Sequence, residues 1–266
     1  MPQFEQISLG WLRTAVAAVL ITSIPAWAAV GSESPAARTY DGTPQDVGGG
    51  RAYTFVTLDG GGKPITIGVR MSEAALSGLP TEPPSGMEGV EYVLPFPKEA
   101  ESAGYTHVGL DWNPHGHVPP GIYDAPHFDF HFYLISAEQR EKITAKGDDL
   151  ARARKAPAPE MMPEGYILPE GTEVPRMGAH AIDPQSPEFN KQPFTKTFIY
   201  GFYDGSIAFL EPMVTKAFLE TKPNVTDAVK LPQTYSPRAF YPTQYTVKYD
   251  ESQREYVISL DGLTSR

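Results

Sequence analysis

A chain of 266 residues with 41% hydrophobic content is long enough for one large domain or two small ones. It contains no cysteine, which rules out disulfides, thiolate ligands and thiol catalysis and leaves only nitrogen and oxygen donors for any metal. The formal net charge of −10 argues against a nucleic-acid partner, because phosphate binding needs a basic face; 24 glycines and 27 prolines predict many turns without reaching the share that marks disorder.

Residues 1–28 read as a signal peptide. A lead with Arg13, offset by Glu5, precedes the apolar run Ala15–Ile24, then Pro25 and the cleavage-type pattern Ala26-Trp27-Ala28. The run is shorter than the ~20 residues a spanning helix needs. The expectation is a secreted chain, periplasmic or extracellular, with no membrane contact after signal cleavage; an uncleaved anchor is the alternative. Removal of the segment takes away one acid and one base and leaves the net charge unchanged. Residues 29–50 are small and polar and end in Gly48-Gly49-Gly50, which predicts a flexible lead-in.

A single β-rich domain is expected over residues 51–266. Arg51–Leu58 and Pro64–Met71 are rich in β-branched and aromatic residues and predict a hairpin across Asp59-Gly60-Gly61-Gly62-Lys63. That glycine run is a turn and not a phosphate loop, since the glycine spacing fails and Pro64 stands where a magnesium-holding hydroxyl is needed. Ser72–Leu79 predicts a short helix, Pro80–Gly86 a loop, and Val90–Leu94 and Tyr105–Trp112 strands. Asn113–Pro126 is turn-rich, and His127–Ser136 alternates as a strand. Ser136-Ala137-Glu138-Gln139 has the form of a capping box opening a helix to about Ala145. Residues 147–178 predict a surface excursion with helix near Asp148–Lys155. Phe194–Tyr203 and Ser206–Glu211 flank Asp204-Gly205, a hairpin signal; Thr215–Glu220 predicts a helix, and Gln244–Tyr249 with Glu255–Leu260 a closing hairpin. These elements predict a mainly β fold, a single antiparallel barrel or sandwich with short helices.

Five of the six histidines fall between His107 and His131, and His180 is the sixth. Neutral imidazole is the commonest protein metal ligand, and a strand–loop–strand segment is a suitable frame for it. Neither HExxH nor a zinc-finger spacing occurs. On a strand, His127, Asp129, His131 and Tyr133 share one face, opposite Phe128, Phe130, Phe132 and Leu134. Positions four apart are separated by ~13 Å on a regular strand, so His127 and His131 reach one ion only across a bend or bulge. Asp129 is an alternative ligand, or a partner that orients a histidine from behind. The other reading of this face is that it meets solvent.

A regular Asp204-Gly205 hairpin sets Phe198 opposite Glu211 and puts Glu211 on the face of Phe198, Tyr200, Phe202, Ile207 and Phe209. A carboxylate there must be paired, protonated or bound to a cation, unless the strand end lets it reach water. His107 and Asp111 share a strand face and serve equally well as structural groups. His115 and His117 flank Gly116 in the loop, where Pro119-Pro120 stiffens the chain after His117.

The segment Asp111–Pro120 (DWNPHGHVPP), followed by Pro126–Tyr133 (PHFDFHFY), resembles an exported bacterial family of unknown function. Its domain is typified by a thermophile protein under sigma-E/anti-sigma-E control. Pro175–His180, Phe198–Gly201 and Glu211-Pro212-Met213 extend the similarity over roughly residues 85–220. The resemblance implies a β-rich, metal-binding, homo-oligomeric domain. On that pattern the matching ligands are His117, His127, His131, His180 and Glu211, with no established reaction.

Three functions follow as expectations. The first is an exported protein that binds a divalent transition metal through its histidines, serving envelope stress or metal handling. The second is a cupin-like metalloenzyme with metal-bound water and Asp129 or Glu211 as base, although the cupin His-x-His-x-Glu arrangement is missing. The third is a structural or ligand-binding β module whose histidines hold no metal. Zinc is the default ion for nitrogen-rich ligation, with copper, nickel, iron and manganese open. No G-x-S-x-G nucleophile motif occurs.

Overall fold

Alternating β-branched and aromatic residues dominate the chain, and the architecture follows from which face of each alternation is apolar. The computed structural model describes residues 1–3, 36–87 and 89–266, so the expected signal peptide lies outside the described residues apart from its first three. Among the described residues no helix is long and apolar enough to cross a membrane.

The first strands are β1 Arg38–Asp41, β2 Gln45–Val47, β3 Gly50–Leu58, β4 Pro64–Ser72, β5 Val90–Pro95, β6 His107–Asn113 and β7 His127–Tyr133. Then come β8 Glu173–Val174, β9 Gly178–Ala181, β10 Lys196–Tyr203, β11 Ser206–Thr215 and β12 Asn224–Ala228. The last are β13 Phe240–Tyr241, β14 Gln244–Asp250, β15 Glu255–Asp261 and β16 Thr264–Ser265. One sheet runs β1-β3-β4-β15-β14-β12, with β2 also on β3; the other runs β5-β6-β7-β11-β10-β9-β8; β13 and β16 form a small ribbon. The fold is thus mainly β and antiparallel, with one sheet curled into a half-barrel and a few short helices.

Order begins before residue 51. β1 and β2 lie within the segment expected to be a flexible lead-in, and both pair with β3, where Tyr40 stands opposite Val56 and Val47 opposite Gly50. Val47 is fully buried, an anchor that the surrounding small residues conceal.

The predicted hairpins β3–β4, β10–β11 and β14–β15 all form. The helices are shorter than expected. Ser136 and Gln139 do close a capping box, yet α1 spans only Ala137–Glu141. The segment near Asp148–Lys155 holds a 3₁₀ turn and then α2 at Leu150–Ala153, and Ser72–Leu79 contains a 3₁₀ turn at Glu73–Leu76. The α3 helix, Lys216–Glu220, is capped by Thr215, whose hydroxyl accepts from the Phe218 N–H at 3.2 Å.

The core lies between the two sheets. Val56, Ile67, Val69 and Ile258 from one meet Leu110, Phe130, Phe132 and Leu210 from the other in a single apolar cluster. Each fully buried phenylalanine contributes about 1.5–3 kcal/mol through apolar area removed from water. Phe128, Phe130 and Phe132 thereby commit one face of β7 to the core. The opposite face of β7 is buried too, since His127, Asp129, His131 and Tyr133 are all shielded from solvent. Two small apolar clusters flank that polar strip. Tyr123, Phe194, Ile199 and Met213 form one, and Tyr133, Ala208 and Phe209 the other. The reading of this face as a solvent surface is therefore overturned: it is a buried polar face.

Candidate metal centre

β7 supplies the spine of the site. Its pairing with β6 is regular and sets Gly109 opposite His131, Asp111 opposite Asp129, and Asn113 opposite His127. On its other side, β11 sets Thr215 opposite His127 and Met213 opposite Asp129; continued at the same register, Glu211 faces His131.

Glu211 reaches this face through a bulge that the sequence reading did not contain. Tyr203 pairs with Ser206 and Phe202 with Ile207 as expected, but Gly201 then pairs with Phe209, leaving Ala208 as an extra residue. One added residue exchanges the two faces of a strand. Ile199, not Phe198, therefore stands opposite Glu211. Phe198, Tyr200, Phe202 and Ile207 stay in the inter-sheet core, while Phe209 belongs to the outer cluster. Gly201 makes room for this crossing, since a Cβ there would lie 2.1 Å from the Phe209 ring.

The five ligands matched by resemblance are close to one face but do not form one cluster. With Asp129 they divide into two groups of three, His117–His127–Asp129 and His131–His180–Glu211, each with its donor atoms within 4.8 Å of one another. Because β7 has no bend at this point, His127 and His131 serve different groups.

In the first group, His117 comes from the loop between β6 and β7. Gly116 (φ +70°) lies so close to the returning chain that a Cβ would be 2.0 Å from the Tyr123 carbonyl, and His117 forms a bridge with Tyr123 there. His117 Nε2 lies 3.3 Å from Asp129 Oδ2, and His127 Nε2 lies 3.1 Å from Asp129 Oδ1. Asn113 Nδ2 donates to Asp129 Oδ2 at 2.7 Å and is 3.4 Å from His127 Nε2. In the second group, His131 Nε2 lies 3.3 Å from Glu211 Oε1 and His180 Nε2 lies 3.8 Å from Glu211 Oε2. His180 arrives on β9, where it pairs with the same Gly201.

The imidazoles are held from behind in a consistent way. His117 Nδ1 is 2.8 Å from the Val118 carbonyl, His127 Nδ1 is 2.7 Å from the Ala125 carbonyl, and His180 Nδ1 is 2.8 Å from the Thr172 carbonyl. A carbonyl only accepts, so each Nδ1 carries a proton and Nε2 is the atom offered to the site. Behind His131 stands Asp111, with Oδ2 3.0 Å from Nδ1. This backing of ligand histidines by carbonyls and carboxylates is the pattern that orients metal ligands in proteins.

The carboxylates complete the donor set. Asp129 Oδ1 and Glu211 Oε2 are buried with no hydrogen-bond partner, although imidazole nitrogens lie close by. Two donors bound at ~2.1 Å to a tetrahedral ion are about 3.4 Å apart, and the nitrogen–oxygen separations of 3.1–3.8 Å bracket that value. The residues present therefore fit a divalent cation.

Electrostatics agree with a face that calls for positive charge. Burial opposes protonation of His117, but the Asp129 carboxylate outweighs it and lifts the ring to about 9. His131 is likewise held up at about 9 against its burial, by Glu211 and then Asp111. Burial alone would raise Asp129, yet His127 and His117 keep it well below the usual carboxylate range. Burial pushes Glu211 up to about 8 despite the pull of His131. Without an ion, protons on His117 and His131 supply the countercharge, while burial and then His131 hold His180 down at about 4 and leave its Nε2 lone pair free; a divalent cation can replace those protons.

The remaining candidates fall outside both groups. His115 is exposed and sits 3.1 Å from Glu82. His107 is buried, stacks on Tyr133 with ring centroids 4.8 Å apart, and places Nδ1 2.8 Å from Thr106 Oγ1. Asn113 is a site residue that the sequence reading missed. Its signal was its place on the His107–Asp111 face of β6, two residues beyond Asp111.

Residues 59–112 are similar to an uncharacterised family described as TTHB210-like, hypothetical protein TTHB210. The matched stretch includes His107 and Asp111 but none of the six residues of the two groups. No curated protein and no solved structure matches the chain.

Proposed function

We propose that this chain is an exported protein that binds a divalent transition metal, with zinc as the first candidate, through His117, His127, Asp129, His131, His180 and Glu211. The observation that carries this reading is the common orientation of the imidazoles. Nδ1 is anchored on a backbone carbonyl in three of the four, and Nε2 is turned toward a buried carboxylate in all four. Hydrogen-bonded histidines placed only for packing have no reason to share that polarity. Export rests on the signal-type segment of residues 1–28, and a setting in envelope metal handling or envelope stress follows from export.

The test is elemental analysis of full-length protein purified without a histidine tag, before and after chelation. Retained transition metal in stoichiometric amount supports the reading. A protein that carries no metal and takes up no zinc, copper, nickel, iron or manganese overturns it.

A metal-dependent enzyme is the second reading, favoured by the count of donors. Three protein donors leave room for a water or substrate atom, as in catalytic rather than structural sites. Asp129 and Glu211, expected from sequence as bases, stand against imidazole nitrogens and would act as donors to the ion instead.

A further inference from the structure

The expectation from sequence was one ion. The geometry points to two: we propose that each chain carries a pair of divalent cations side by side, one on His117–His127–Asp129 and one on His131–His180–Glu211. This rests on the metal-binding reading above and deepens it.

Each group is complete by itself. Both have two imidazoles and one carboxylate, a donor set that suffices for a 2-His-1-carboxylate site. Each carboxylate is shared only within its own group: Asp129 is approached by His117 and His127, and Glu211 by His131 and His180. Each also leaves one buried oxygen without a hydrogen-bond partner, Asp129 Oδ1 in the first group and Glu211 Oε2 in the second. A single ion would satisfy one of those oxygens and leave the other with only an imidazole nitrogen nearby, at 3.1 Å for Asp129 Oδ1 and 3.8 Å for Glu211 Oε2.

A regular strand keeps the groups apart. His127 and His131 are four residues apart on one face of β7, a spacing of ~13 Å, and the unbroken pairing with β6 includes no bulge to shorten it. One ion with bonds of ~2.1 Å cannot draw both sets of donors to itself. Two adjacent dications repel, and the face provides for that with a third buried carboxylate. Asp111 pairs across the ladder with Asp129 and lies against His131 Nδ1, between the two groups.

The two groups differ in ways that separate them experimentally. His117 is a loop residue with its side chain 20% exposed, and His180 sits on the short β9 with its side chain 15% exposed. Neither supports the inter-sheet core, so His117→Ala and His180→Ala test occupancy with the smallest risk to folding.

The experiment is titration of metal-stripped, full-length protein with Co²⁺, followed by visible absorption, with Zn²⁺ stoichiometry measured in parallel. Wild type should saturate at two equivalents. His117→Ala and His180→Ala should each saturate at one, and the double variant should bind none tightly. Saturation of wild type at one equivalent, abolished by either substitution, would overturn the pair and leave a single-ion site standing. No uptake by wild type would remove both the pair and the metal reading beneath it. The wild-type endpoint decides the count even if a variant fails to fold.

Discussion

Asp111 and Asp129 stand directly opposite each other across the β6–β7 ladder, and both are buried. Like charges at such a position destabilise a sheet unless something compensates. The two carboxyls are driven apart electrically. Burial raises Asp111, while His127 and His117 overcome burial at Asp129 and hold it far down. The pair makes sense as part of a cation site, with Asp129 as donor and Asp111 behind His131.

Asp111→Asn should weaken metal binding by about 10–100-fold without changing the number of ions bound, because it removes the carboxylate backing His131 and no donor. Competition against a chelator of known affinity measures this. Affinity equal to wild type would reduce Asp111 to a structural neighbour.

Metal should stabilise the fold. An ion that binds only the native state adds about 2.7 kcal/mol at a free concentration one hundred times its Kd. Thermal unfolding near neutral pH should shift upward on adding Zn²⁺ to the stripped protein and return on adding EDTA. An unchanged midpoint with metal bound would mean that the donor groups are equally available in the unfolded chain.

His107 should give the metal-free protein an acid-side loss of stability. Burial, reinforced by the nearby Arg140, lowers its pKa from 6.5 to about 4. An unfolded histidine takes up its proton near pH 6.5, whereas the folded one resists until about pH 4. The unfolded state therefore binds more protons in that window, and stability falls as pH drops through it, by about 3 kcal/mol in all. His107→Gln should flatten the profile there in urea unfolding with chelator present. Below that window the Glu91 ion pairs take over. Burial works against the charged form of Glu91, but Arg140 and Arg176 lower its pKa, so its contribution is present above the ordinary glutamate range and lost as pH falls through the lowered value.

Gly201→Ala should destabilise the protein by about 1–3 kcal/mol, the usual cost of overpacking. The new methyl would meet the Phe209 ring at 2.1 Å. The same change should weaken binding at His180, which pairs with Gly201. Urea unfolding and metal titration of one variant read both effects, and a fully wild-type profile would show that the ring moves freely.

Much of this was legible in the chain because local chemistry decided it. The β7 alternation, His127-Asp129-His131 against Phe128-Phe130-Phe132, announces two faces of opposite character, and Asp204-Gly205 announces its turn. The single extra residue at Ala208 leaves no mark in composition, yet it moves Glu211 to the other side of its sheet. The division into two groups was equally hidden. It depends on where the loop carrying His117 folds back and on β9 pairing with β10, both contacts between distant residues. Five ligands taken from one pattern naturally read as one site; only the placement of Asp129 between His117 and His127 shows otherwise.

The uneven exposure of the donors also governs how fast an ion could come and go. His127, Asp129, His131 and Glu211 sit on long strands with almost no contact with water, while the partly exposed His117 and His180 are carried on a loop and on the four-residue β9. On the metal reading, loading and release at each group would pass through its least buried donor, His117 or His180. Residence time would then depend on those two side chains more than on the four donors held deep in the sheet, and changes beside them would tune it without rebuilding the core.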